Sequence, residues 1–266
     1  MKRVVAIALG TILIAAAMGC AQTKHKTNAT AKAHAEYAAR RDTTPVADPE
    51  PDRYARLTDA DFRRVAEQLG VETAAIKAVV SIEAGAAMKG FWAPGVPVIN
   101  FDPTMYRRYA AKAADRSGAK DETVPAGLTG YARSEWTQLI NARKKNAQGA
   151  NLGTFWGMFQ IGGFCYKQCG CGSVDEFVRK MSYSELEQLE LFAAFLENTG
   201  YVKDLRSKNW AAFARKYNGP GYARRGYHTK MANAYVKFRS QEAKSAPKNA
   251  PDGRLAGKEL KIKHEE

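Results

Sequence analysis

The stretch Ala75-Ile76-Lys77-Ala78-Val79-Val80-Ser81-Ile82-Glu83-Ala84-Gly85 carries the clearest chemical signal in the chain. Ile76, Val79 and Val80 precede Glu83 at helical spacing, so the four side chains share one face of a helix. That face should pack inward, and Gly85 suits the end of the helix. An ionised carboxylate facing a core is costly, so such a glutamate has a raised pKa and stays protonated close to neutrality. A protonated carboxyl at the mouth of a cleft is what a general acid for glycosidic cleavage needs. The residues leave a second reading open, in which Glu83 merely ends a helix and curls out to solvent.

The elements that must position this group read as mainly α. Thr58-x-x-Asp61 is a variant capping box opening a helix with Phe62, Val65 and Leu69 inward and Gly70 at its end. A turn through residues 71–73 leads into the Glu83 helix. Ser184-x-x-Glu187 opens another helix, with Leu186, Leu189, Ala193 and Leu196 on one face and Gly200 closing it. Trp210, Phe213, Ala214 and Tyr217 stripe a shorter helix that stops at Asn218-Gly219-Pro220-Gly221, and residues 229–238 give a last helix. Gly90, Pro94, Gly95 and Pro97 punctuate residues 91–101, where Val98-Ile99-Asn100-Phe101 has β character. This predicts a small hairpin or flap directly after the Glu83 helix, with Asp102 at its exit before Pro103.

The ends of the chain differ in character. Lys2 and Arg3 precede an apolar run over residues 4–18, which reads as a secretory signal too short for a comfortable membrane span. Ala17-Met18-Gly19-Cys20 resembles a lipobox, with Ala17 in place of the usual leucine. Residues 1–19 are then a lipoprotein-type signal and Cys20 the lipidated first mature residue; an ordinary cleaved signal is the alternative. Ala21, rather than aspartate, after Cys20 points by the same resemblance to the outer membrane, facing the periplasm. Residues 20–52 are a tether rich in Ala, Lys, Thr and Asp, ending in Pro45, Pro49 and Pro51. Residues 241–266 read as a disordered polar tail, which leaves 53–240 as one domain long enough for a real core.

Charge and composition exclude several classes. The chain has 41 basic and 27 acidic side chains, a net charge of +14. That suits an anionic polymer such as bacterial wall with its peptide carboxylates, or it serves solubility alone; export argues against nucleic acid. Of the 4 histidines, at positions 25, 34, 228 and 264, three fall in the tether and tail, so no zinc site or histidine triad can be assembled. Neither a metal nor an organic cofactor is expected. Cys165, Cys169 and Cys171 lie in a Gly-rich loop without a histidine partner, and an oxidising compartment favours a disulfide there.

Taken in order, several landmarks resemble the bacterial and phage N-acetylmuramidases of the DUF3380 type, which have a lysozyme-like fold. They are Leu57-Thr58-Asp59-Ala60-Asp61-Phe62, Leu69-Gly70-Val71, Ala78-Val79-Val80-Ser81-Ile82-Glu83 and Pro97-Val98-Ile99-Asn100-Phe101-Asp102. Trp156-Gly157-Met158-Phe159-Gln160-Ile161 and the run from Trp210 to Tyr222 complete the set. The resemblance implies a peptidoglycan hydrolase with Glu83 as proton donor, and a monomer is expected. It implies Asp102 as the second acidic residue, where the family has glutamate; capping of the following segment is the alternative for Asp102. Gln160 would hold a sugar hydroxyl or acetamide, or satisfy backbone groups. Tyr217 would stack on a sugar or bond the glutamate, and Asn218 would line the cleft or stop its helix. By the same resemblance Cys169 has counterparts in relatives, so Cys165 and Cys171 are favoured as the bonded pair. A lytic transglycosylase and a wall-binding scaffold without activity remain the alternatives. An anchored muramidase would also need restraint by an inhibitory or immunity protein.

Overall fold

The computed structural model describes residues 54–85, 87–113 and 117–245; the stretches expected to be signal and tether, Cys20, and the end of the expected tail lie outside them. The Thr58 capping box forms reciprocally and opens α1 (Asp59–Leu69), which Gly70 closes in the left-handed conformation. After the short turn, α2 (Thr73–Glu83) ends at the glutamate itself, with Ala84 as C-cap and Gly85 at φ +75 just beyond. The helix is more deeply enclosed than a single apolar face implies. Ile76, Val79 and Val80 join the main core, while Ala74, Ala75 and Ala78 on the other side pack with Tyr235 in a second cluster. A helix apolar on nearly all sides is a central helix.

The flap follows. Strands β1 (Phe91–Ala93) and β2 (Val96–Pro97) pair antiparallel as a hairpin. Next, β3 (Ile99–Phe101) pairs antiparallel with β4 (Thr154–Trp156), which pairs in turn with β5 (Ile161–Gly162). Between β3 and β4 lie α3 (Pro103–Ala110), α4 (Gly130–Arg143) and α5 (Ala147–Leu152). A 3-10 turn at Gly163–Cys165 leads to α6 (Val174–Met181), α7 (Glu185–Thr199), α8 (Val202–Arg206), α9 (Trp210–Tyr217) and α10 (Tyr227–Ser245). The result is mainly helical and lysozyme-like, with two small antiparallel sheets among the described residues. The β4–β5 pair escapes the sequence reading because strands of two and three residues show no alternation.

The last helix runs to Ser245, beyond its expected end at residue 238, and packs along α2. Its extension has a partner: Lys77, buried on α2, sends its ammonium to Asp59 at 2.8 Å and Glu242 at 3.6 Å. At the start of α2, Glu72 meets Lys208 at 2.6 Å and the Tyr235 hydroxyl at 2.6 Å. The helix bearing Glu83 is thus held by ion pairs along its length as well as by packing.

Two polar side chains of α7 fix the flap. Glu185 accepts the Gly90 N–H at 2.9 Å with one oxygen and the Leu57 N–H and Arg56 guanidinium, both at 3.1 Å, with the other. Gln188 accepts the Met158 N–H at 2.8 Å and donates to the carbonyls of Gly90 at 3.2 Å and Met181 at 2.8 Å. Gly90 and Gly157 are glycines for this reason: a Cβ on either would lie 2.6 or 2.7 Å from the Gln188 carboxamide oxygen. Gln188→Leu strips three backbone groups of their buried partner and should destabilise the fold by about 2–4 kcal/mol in urea unfolding. A loss below about 0.5 kcal/mol would show that this carboxamide does not tie the segments together.

Candidate active site

Glu83 enters the site from the last turn of α2, where the apolar stripe has carried it inward; only 7% of its surface is exposed. One carboxyl oxygen accepts the Asn218 side-chain N–H at 2.8 Å, and the other has no hydrogen-bond partner among the described residues. Burial pushes the carboxyl up to about 7 from an ordinary 4.5, and the Asn218 bond, which favours the charged form, opposes this only in part. The curled-out alternative is therefore not what the fold adopts. Asn218 is buried as the C-cap of α9, and its own carboxamide oxygen is likewise without a partner among the described residues. The structure thus places Asn218 on Glu83 itself.

Tyr217 differs from expectation. Its ring stacks on Phe213 and meets the edges of Phe192 and Phe195, and its hydroxyl donates to the Phe159 carbonyl. Its hydroxyl is taken by the Phe159 carbonyl rather than the glutamate, and one ring face by Phe213. Burial, with the nearby Glu83 charge, holds its hydroxyl well above the usual range.

Gln160 closes the β4–β5 turn in the left-handed region, at φ +50. Its side-chain N–H donates to the Gly157 carbonyl at 2.8 Å, which is the backbone-satisfying role; the carboxamide oxygen is not used in that bond. Asp102 caps α3, one oxygen accepting the N–H groups of Thr104 at 2.8 Å and Met105 at 3.0 Å. Its second oxygen takes no part in the cap.

Cys165, Cys169 and Cys171 are buried together, but as thiols, with no disulfide among them. The expected Cys165–Cys171 bridge is not formed: the Cys171 sulfur instead faces the Cys169 carbonyl at 4.0 Å within the core, and burial pushes its thiol up to about 12.

One carboxyl beside the site is absent from the sequence reading. Glu135 on α4 is buried and accepts the Phe101 N–H at 2.7 Å, immediately before Asp102. Burial raises its pKa and that hydrogen bond lowers it, with burial the larger effect. The signal existed, since Glu135, Leu139 and Ala142 fall on one helical face, the same argument that singles out Glu83.

The profile of the N-acetylmuramidase family matches residues 72–239, spanning α2 to α10 and every group just described. The chain belongs to the N-acetylmuramidase family. Among solved structures, this muramidase-family chain is similar to the Burkholderia AP3 phage endolysin, at 37% identity and a TM-score of 0.59. The likeness covers 73% of this chain and 74% of the endolysin chain. No curated protein matches the chain. Family and structural likeness together support peptidoglycan hydrolysis as the general activity.

The buried carboxyl has a cost that depends on pH. Glu83 ionises near 4.5 in the unfolded chain but near 7 when folded, so stability is full below 4.5 and falls as pH rises through 7. Glu83→Gln keeps an acceptor for Asn218 and carries no proton to lose. In thermal and urea unfolding, the variant should exceed the parent by about 2–3 kcal/mol at pH 8, with the gap closing towards pH 4. A gap independent of pH would mean that Glu83 titrates normally.

Proposed function

We propose that the chain hydrolyses the β-1,4 bond between N-acetylmuramic acid and N-acetylglucosamine in peptidoglycan. The observation that supports this reading best is the Glu83 carboxyl, buried and protonated close to neutrality, with one oxygen held by Asn218 and the other unengaged. The protonated oxygen gives its proton to the glycosidic oxygen as the bond from the anomeric carbon breaks, so the departing sugar leaves as an alcohol. Water adds to the oxocarbenium-like anomeric carbon, and the Asp102 oxygen outside the helix cap takes its proton. The Gln160 carboxamide oxygen and the unpartnered Asn218 oxygen accept from sugar hydroxyl or acetamide groups. Asn218 acts chiefly by orienting Glu83.

One observation favours a second reading. Asp102 already serves as a helix cap through one oxygen, which suits a lytic transglycosylase that works with a single glutamate and closes an anhydro ring without water. We also place the enzyme in the envelope, exported and lipid-anchored through Cys20, on the strength of the lipobox-like residues 17–20.

Mass spectrometry of muropeptides released from purified peptidoglycan separates these readings. A muramidase yields products with a reducing N-acetylmuramic acid end, and Glu83→Gln should lower turnover by at least about a thousandfold. Anhydro-ended products would move the chain to the transglycosylases. Glycan binding without any product would leave a scaffold.

A further inference from the structure

The muramidase reading accounts for Glu83 and Asp102 but not for the outer corner of the flap. There Trp92, half-buried on β1, meets Tyr131 at the start of α4 with ring centroids 6.1 Å apart and planes at 90°. Tyr131 is 38% exposed, one of two large hydrophobic side chains on the surface of the described residues. Its hydroxyl accepts the Asn100 side-chain N–H at 3.0 Å. Asn100 and Asp102 are two positions apart on extended chain, so their side chains leave β3 on the same side, while Ile99 and Phe101 between and before them are buried. The aromatic corner, the carboxamide and the Asp102 carboxylate therefore form one row along the outer side of the flap.

We propose that Trp92, Tyr131 and Asn100 form a glycan subsite that binds an N-acetylhexosamine ring of the strand, apart from the sugars at the cleavage point. Two rings set at right angles give a pyranose one apolar face to lie on and a second wall to abut, a geometry a lone surface aromatic cannot supply. The polar groups complete the requirement. Because Asn100 donates to the Tyr131 oxygen, the hydroxyl proton remains to donate outward, and the Asn100 carbonyl oxygen, not engaged in that bond, can accept an acetamide N–H or a hydroxyl. Burial and the Glu135 charge push the Tyr131 hydroxyl up to about 12, so it keeps this proton throughout the neutral range. The neighbouring Glu135 also holds the Phe101 N–H, which fixes the β3 backbone between Asn100 and Asp102. The subsite would set how firmly a long strand is gripped, leaving proton transfer to Glu83.

This inference rests on the proposed muramidase activity. Its test uses the full chain carrying Glu83→Gln, so that the glycan stays intact, and calorimetric titration with an uncrosslinked peptidoglycan octasaccharide. Adding Trp92→Ala or Tyr131→Ala should weaken binding about tenfold, the scale expected for losing one stacked ring. Tyr131→Phe and Asn100→Ala should each weaken it about threefold, since the rings remain. Circular dichroism identifies any variant that fails to fold; if Trp92→Ala does, Tyr131→Ala reads the same loss from the other wall. Affinity unchanged in folded Trp92→Ala or Tyr131→Ala would overturn the subsite while leaving the activity standing. No octasaccharide binding by the Glu83→Gln chain itself would overturn both.

Discussion

A carboxyl group taken out of water and held by one hydrogen bond is the constraint around which this domain is arranged. Left to itself, such a group would swing to solvent and recover its hydration. The fold prevents this by making α2 a central helix, packed by apolar side chains on two sides and pinned by ion pairs along its length. Glu72 is bound by Lys208 and Tyr235 at its start, and Lys77 reaches both Asp59 and Glu242 midway. Glu83 at its end is received by Asn218, a residue 135 positions later in the chain. Each link restricts a rotation that would otherwise release the carboxyl.

The opposite side of the site is ordered by buried amides and carboxyls. Glu185 and Gln188 join the base of the flap to α7, and Gln188 also reaches the β4–β5 turn that carries Gln160. Two glycines keep that space open. Glu135 does the same for β3 from α4. Each of these side chains holds at least one backbone group of a strand or turn, which fixes those segments in place. The loop after Glu83 is held in the same manner, by the Arg56 guanidinium on the carbonyls of Ala87 and Met88.

What was legible in the sequence follows from range. The capping box at Thr58, the N-cap at Ser184 and the left-handed glycines at 70 and 200 are local devices, and each sits where its spacing places it. Glu83 was legible for a similar reason, since its register with Ile76, Val79 and Val80 is a property of one helix. Asn218 was not assignable in the same way: its neighbours mark a helix end, and only the tertiary fold brings its amide to Glu83. Tyr217 shows the reverse. Its helical stripe correctly marks a core position, and the family resemblance suggested a ligand-facing one; the ring follows the stripe. Glu135 shares a helical face with Leu139 and Ala142, which marks its burial, but its role and that of Gln188 depend on strands and turns too short to announce themselves.

General-acid chemistry at Glu83 requires this carboxyl to hold its proton close to neutrality. A carbon-13 titration of the Glu83 side-chain carboxyl in the intact protein, assigned by comparison with Glu83→Gln, measures this without substrate. A midpoint near 7 is the result predicted from its burial. A midpoint near the ordinary glutamate value of 4.5 would mean the group is hydrated, and would contradict the role assigned to it.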